Sequence, residues 1–457
     1  MPSLNLSNDS PLAVLSREQA LAVAKDVLAR VHAKEAMVRV STSASASARF
    51  AKNDIQNMAG DSALQADVYV WLDGKLASNS TTNITPEGVA TLVAEVEDLA
   101  RNYTNDQPAE MFVTEAESFE DPPIYFASSL AGALPVRQGE RIRGIIDTAE
   151  PTGLIVAGDL RSEASSMLVL TNAGRLGYTC DTFNSFTMSA RTKSGTGSGW
   201  AQSCGEDFAR VDVDDVARRA MELAKRSENP VAVEPGRYTV ILEPEAVDSL
   251  VSPILGPSTA FIENGAAEEG LTVFSKQGGG TKLGQQMTDE RVQLLYDPHD
   301  PLLPFSPLNR EGYILKRTYW IENGVLKNLA VSPHEAQKSK RKLLLNPERA
   351  RLEITGSTQT LEEMIASTKR GIWVHRLTGS TVNLRTLLLS GVTRDGTFLI
   401  EDGKITKPVK NMRFAESPFF LMNKLLAFGP PVRSGPSMLC PRIKVSDFEF
   451  TSLSDAI

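Results

Sequence analysis

The spacing of apolar residues changes period several times along this chain, and each change predicts an element. Ser16-Arg17-Glu18-Gln19 has the form of a helix-capping box. Leu21, Ala24, Val27, Leu28 and Val31 then recur at helical spacing. From Val38 to Phe50 the period drops to two. Val38, Val40, Ala44, Ala46, Ala48 and Phe50 alternate with Arg, Ser and Thr, which predicts a strand. Val68–Leu72 reads as a second strand, turned back by a hairpin at Asp73-Gly74. Thr85-Pro86 opens a further helix with the buried stripe Val89, Leu92, Val93, Val96 and Leu99.

The pattern then loosens. Residues 109–140 are expected to be loop-rich. Strand-like runs follow at Gly153–Val156, Ser166–Thr171 and Phe186–Ala190. Asp212–Arg226 predicts a helix with acidic residues in its first turn and basic ones in its last, as the helix dipole favours. Residues 228–236 read as a linker, and a mostly β segment begins at Arg237. The Asp-Gly or Asn-Gly turns at 71–76, 321–326 and 400–405 share one hairpin chemistry, with spacing too irregular for a repeat array. The fold class expected is α+β. An N-terminal α+β domain over 1–108 packs helices on a mixed or antiparallel sheet. A central α+β region covers 109–234, and a β-rich domain covers 235–457. Two or three domains suit 457 residues.

Composition narrows the function. The formal net charge is −8, whereas a nucleic-acid binder usually carries a basic face. The three cysteines, Cys180, Cys204 and Cys440, form no C-x-x-C pair, which predicts reduced thiols and a cytoplasmic location. No run approaches the ~18 apolar residues of a membrane helix. The first residues, MPSLNLSNDSP, lack the basic-then-apolar order of a secretory signal. Neither nucleic acid nor membrane is expected as a partner.

Several segments, in order, carry a family resemblance. They are Ala48–Asn53, Ser189-Ala190-Arg191, Gly197-Ser198-Gly199-Trp200-Ala201 and Gly236–Val247. Next come Ser367-Thr368-Lys369-Arg370-Gly371, Thr393-Arg394-Asp395-Gly396, Val409-Lys410-Asn411, Arg413–Pro418 and the closing Val445–Ser452. Together they resemble the TldD/PmbA family, also called modulators of DNA gyrase, and within it the TldE (PmbA) branch. The resemblance implies a two-subunit metallopeptidase that cleaves unstructured peptides. In the TldD subunit an H-E-x-x-x-H motif brings two imidazoles to zinc, and its glutamate takes a proton from the metal-bound water. The corresponding slot here is Ser252-Pro253-Ile254-Leu255-Gly256-Pro257, with Ser252 and Pro257 at the histidine positions and Pro253 at the glutamate position. No catalytic residue, metal ligand or cofactor is therefore assigned to this chain. Zinc is expected in a TldD-like partner.

The other candidates are ordinary by comparison. None of His32, His299, His334 and His375 has a second histidine three to five residues away. Cys440 falls near the place of a C-terminal zinc-ligating cysteine of the TldD branch, but without the histidines it reads as a small core residue. Gly195–Gly199 lacks the spacing and lysine of a phosphate loop and reads as a turn, or as a groove where backbone meets a peptide. The resemblance makes Gly197, Ser198, Gly199, Trp200, Arg413 and Phe414 the substrate-binding candidates. Lys338–Lys342 is a basic run, read as a solvated loop, and Leu308–Gly312 departs from the usual TldE pattern. The expected partners are a TldD-like subunit in a heterodimer and an extended peptide. The alternative is a non-catalytic homodimer that binds peptides or a regulatory protein. A serine or cysteine hydrolase is disfavoured, because no G-x-S-x-G elbow is present.

Overall fold

A computed structural model describes residues 13–72, 75–102, 118–120, 124, 134–255, 262–346 and 349–454. The Asp73-Gly74 turn, the acidic stretch through Asp121-Pro122-Pro123, and Gly256-Pro257 lie outside these residues.

The first half contains α1 (Arg17–Leu28), β1 (Glu35–Ala51), β2 (Asp54–Leu72), β3 (Lys75–Thr81), α2 (Pro86–Asn102), β4 (Ser118–Glu120), α3 (Pro135–Ala149), β5 (Leu154–Thr171), β6 (Leu176–Thr192), β7 (Ser198–Gly205) and α4 (Val213–Arg226). All seven strands belong to one sheet, in the order β3-β2-β1-β5-β6-β4, with β7 also on β6. The expected N-terminal and central regions thus share a sheet through the antiparallel β1–β5 pair. Both capping-box hydrogen bonds at Ser16 are present. Alternate β1 side chains (Val38, Val40, Ala44, Ala46, Ala48, Phe50) are buried beneath the helices, as period two requires.

Three elements differ from the expectation. β2 is 19 residues long rather than five, because Asp54–Gln65 follows β1 residue by residue around a turn at Lys52-Asn53. Both turn residues have positive φ (53° and 60°), the backbone of a tight hairpin. Asn53 clamps the turn to β5, accepting from Val156 N at 2.7 Å and donating to Leu154 O at 2.9 Å. Gly153–Val156 and Ser166–Thr171 are the two ends of the single strand β5. Gly158, Arg161 and Glu163 break the apolar pattern, but the ladder to β6 continues through them. Finally, α3 begins inside the segment read as loop. Its buried stripe, Ile142, Ile145, Ile146 and Ala149, starts only after the polar first turn.

The second half contains β8 (Gly236–Leu242), α5 (Pro244–Val251), α6 (Asn264–Glu268), β9 (Val292–Tyr296), β10 (Thr318–Glu322), β11 (Val325–Leu326), α7 (Pro333–Ser339), β12 (Ala350–Ile354), α8 (Leu361–Ala366), β13 (Arg370–Asn383), β14 (Leu388–Glu401), β15 (Lys404–Pro408), β16 (Met412–Glu416), α9 (Pro418–Met422), β17 (Leu425–Arg433) and β18 (Met438–Leu453). Eleven strands form its sheet. β8-β13-β14-β16-β18 closes on itself, because β18 also pairs with β8. Closure removes exposed edges from this part of the sheet. Its core holds Trp320, Phe414, Phe448 and Phe450. The Asn323-Gly324 and Asp402-Gly403 turns have the paired positive φ angles expected of them. The molecule is therefore α+β, with helices on the first sheet and a mostly β second half. No helix among the described residues is long and apolar enough to cross a membrane.

Candidate functional site at the junction of the two sheets

The segment that the family resemblance sets against the peptidase motif lies at the end of α5. Pro244 starts this helix with the fixed φ that suits its first position. The helix stops at Val251, and Ser252–Ile254 tightens into a 3₁₀ turn. Pro253 has no N–H to carry the helix further. Ser252 Oγ donates to the carboxylate of Asp248, one turn earlier. Ser434 Oγ donates to the other Asp248 oxygen at 3.0 Å. The Cys440 thiol lies 3.3 Å from Ser434 Oγ and 3.2 Å from the Pro244 carbonyl. The fold thus brings Cys440 to the slot, as a member of a chain of small polar groups.

Burial disfavours charge on this chain of groups. Burial raises the Cys440 thiol well above its ordinary range, and Asp248 adds to the effect. Burial also raises Asp248, against the lowering effect of its Ser252 and Ser434 hydrogen bonds. A structural or catalytic zinc needs imidazoles, thiolates or ionised carboxylates. A serine, a proline and a protonated buried thiol do not fit it. Among the described residues, no three His, Cys, Asp or Glu side chains are grouped so as to hold a metal ion.

Two clefts lie where the halves of the molecule meet. The larger, about 470 Å³, is lined by Thr196, Ser198, Asn229, Thr397, Lys410 and Ser454, among others. The smaller, about 210 Å³, is bounded by Trp200, Arg219, Glu222 and Arg226 from the first half. Glu243, Glu245, Trp373, His375, Arg376 and Arg442 face them from the second. Glu243 is held by a two-pronged contact with Arg442 (2.8 and 2.7 Å) and by Trp373 Nε1 at 2.7 Å. Burial works against its charge, but these donors and His375 hold its carboxyl below the usual range. Glu245 lacks such donors, so burial, reinforced by Glu243, pushes its carboxyl up to about 7. Burial pushes His375 down to about 4, so its imidazole is neutral at pH 7.

The six expected substrate contacts divide. Trp200 borders the smaller cleft, under the Arg376 guanidinium at 4.1 Å, and Ser198 borders the larger. Gly197 and Gly199 lie against α4. A Cβ on them would lie 2.3 Å from Ala224 O and 2.2 Å from Ala220 O, so their bare backbone is packed against α4. Phe414 requires correction, because its ring is buried against Phe448 in the second core. Arg413 is exposed on β16 and borders neither cleft. The basic run ends α7, where Lys340 takes a left-handed conformation and Arg341 pairs with Glu268. The residues missed were Arg226, Glu243, Trp373, His375 and Arg442. One signal was present: Trp373-Val374-His375-Arg376 places a histidine and an arginine directly after an apolar strand run.

Comparison with known proteins gives the family. The PmbA/TldA metallopeptidase C-terminal domain pattern matches residues 235–452, and the central-domain pattern of the same family matches residues 137–228. The chain belongs to the TldD/PmbA family. A metalloprotease from Methanothermobacter thermautotrophicus is 24% identical over 287 residues, 59% of this chain and 61% of that protein, so the match spans less than two thirds of the relative. A metalloprotease from Archaeoglobus fulgidus is 26% identical over 126 residues, 28% of each chain. Among solved TldD/PmbA-like structures, a Bacteroides thetaiotaomicron protein described as a candidate modulator of DNA gyrase has TM-score 0.82 at 20% identity, covering 96% of this chain and 100% of that one. TldE from Thermococcus kodakarensis has TM-score 0.80 at 19% identity, covering 94% and 99%. These two likenesses establish the fold.

Proposed function

We propose that this chain is a TldE-like, zinc-free subunit of a cytoplasmic two-subunit metallopeptidase acting on unstructured peptides. The observation that carries this reading is the Ser252–Asp248–Ser434–Cys440 chain of hydrogen bonds. It fills the place of the metal ligands with groups that hold one another. A TldD-like partner supplies zinc and the catalytic glutamate. This chain completes the chamber, and its clefts at the junction of the sheets contact the extended substrate. Open strand backbone is well suited to hold such a peptide by added strand pairing.

Co-expression with a partner bearing H-E-x-x-x-H tests the reading. A stable one-to-one complex that cleaves a disordered peptide, with zinc only in the partner and neither chain active alone, is the expected result. One zinc per isolated chain, lost on chelation together with peptidase activity, overturns it. A stable homodimer that ignores the partner overturns it in favour of the regulator reading.

A further inference from the structure

Among the described residues, the smaller cleft contains one guanidinium without an acidic partner. Of its four guanidinium groups, Arg442 pairs with Glu243, Arg376 with Asp395 at 3.1 Å and Arg219 with Asp215 at 2.7 Å. Arg226 has no acidic partner among the described residues. Its Cζ sits 5.4 Å from the Trp373 ring centre and 5.1 Å from that of Phe398, so aromatic faces hold the group and its N–H fork stays available. A second feature belongs to a residue that lines the same space. His375 Nε2 is buried and makes no hydrogen bond, and a buried polar atom of this kind is costly. His375 packs against Trp373 at 4.2 Å and beside Gly396, whose missing side chain leaves its ring room.

We propose that this cleft binds a carboxylate group, with the Arg226 fork and His375 Nε2 as donors and Trp200 and Trp373 as walls. A planar guanidinium matches the two oxygens of a carboxylate, and charge-assisted hydrogen bonds are the strong ones. The remaining charges select a monoanion. Glu222 is taken by Arg218 at 2.9 Å and Glu243 by Arg442, while Glu245 is only partly ionised at neutral pH. One unpaired cation therefore faces the ligand, and the nearby acids repel a dianion such as phosphate. A volume of about 210 Å³ holds a carboxylate and a small residue attached to it. The identity of the ligand as part of a peptide rests on the function proposed above; the carboxylate chemistry does not.

The test uses the isolated full chain at pH 7 and calorimetric titration with acetyl-Gly-Ala free acid, its C-terminal amide, acetyl-Asp-amide and inorganic phosphate. The free acid is expected to bind at least about tenfold more tightly than the amide, the loss typical of one charge-assisted contact. Arg226→Gln should lose that preference and Arg226→Lys should keep part of it, both with the parent's melting temperature, since Arg226 is exposed at the end of α4. Binding of the free acid alone assigns the site to a peptide C-terminus. Equal binding of acetyl-Asp-amide extends it to acidic side chains. Equal binding of acid and amide, tighter binding of phosphate, no binding at all, or a preference that survives Arg226→Gln overturns the proposal. Failure to form the two-subunit complex leaves each of these readings intact.

Discussion

The slot around Ser252 and the cleft around Arg226 share the helix α5, yet their chemistry is opposite. Asp248 faces the slot, where two hydroxyls satisfy it. Glu245, three residues earlier, faces the cleft. In the slot every polar group named is answered by another, and nothing is left over for a ligand. In the cleft most charges are answered in pairs, and Arg226, Glu245 and His375 Nε2 remain. If the function and the carboxylate site proposed above hold, a fold can close the place of its relatives' catalyst and keep a binding site beside it. Loss of one chemistry need not mean loss of the pocket.

The largest effect should come from breaking the pair that separates the two regions. Glu243 is buried beneath Arg442 and Trp373. Removing one partner of such a pair leaves the other charge in a poor solvent, which costs about 3–5 kcal/mol. Glu243→Gln keeps the shape and leaves Arg442 unpaired. Chemical denaturation should show a loss of about 3 kcal/mol, and Glu243→Met with Arg442→Met should recover most of it. An unchanged midpoint for Glu243→Gln would mean that the pair is solvated and that the cleft is not the dry, charge-sensitive site described.

Why the slot was legible in sequence and the cleft was not follows from chain distance. The slot is local: Ser252 and Pro253 stand in one short segment, and a proline where a helix must continue announces its own effect. Cys440 could be flagged for its type alone. The cleft gathers α4, β7, α5, β13 and β18, so that Arg226 and Arg442 meet across more than two hundred residues. Elements with an uninterrupted period, such as α1, β1 and α2, were readable for the same local reason, although Leu99, read into the buried stripe of α2, is exposed and Ala100 is buried instead. β5 was not, because Gly158, Arg161 and Glu163 interrupt its apolar rhythm, although β1 and β6 supply hydrogen bonds on both sides. The glycines at 197 and 199 are ambiguous in sequence for a related cause. A glycine signals close approach, but only tertiary structure tells that the approaching backbone is α4.

A pH experiment sharpens the comparison with a smaller effect. The Glu245 carboxyl titrates near 7 in the folded protein and near its ordinary 4.5 when unfolded. Below pH 4.5 both states are protonated and the group contributes nothing. Between 4.5 and 7 only the unfolded state gives up its proton, so stability falls as pH rises. Above 7 the full cost of burying the charge remains. Glu245→Gln removes this titration. The variant should match the parent at pH 4 and exceed it by about 1–3 kcal/mol at pH 8. His375 titrates in the opposite sense, since its neutral form is favoured on folding and its contribution is lost as pH falls from 6.5 towards about 4. That loss is common to both proteins, so the difference between them isolates Glu245. A difference that is constant across pH would place Glu245 in water.

The smallest effect should come from the slot, and its smallness is the point. Cys440 is fully buried, with its thiol between Ser434 and the Pro244 carbonyl. Cys440→Ala removes a small side chain and two weak sulfur contacts, a loss of about 1 kcal/mol. Zinc per chain, measured after purification from zinc-supplemented medium, should not change. A thiolate ligand would behave differently: binding free energy at a structural zinc is itself folding free energy, about 10 kcal/mol or more, and its loss would take the metal and most of the stability together. A variant that loses both would make the slot a metal site and erase the contrast with the cleft. A variant that loses neither leaves Asp248, Ser252 and Ser434 holding one another, with the unpaired guanidinium on the side of α5 that Arg226 faces.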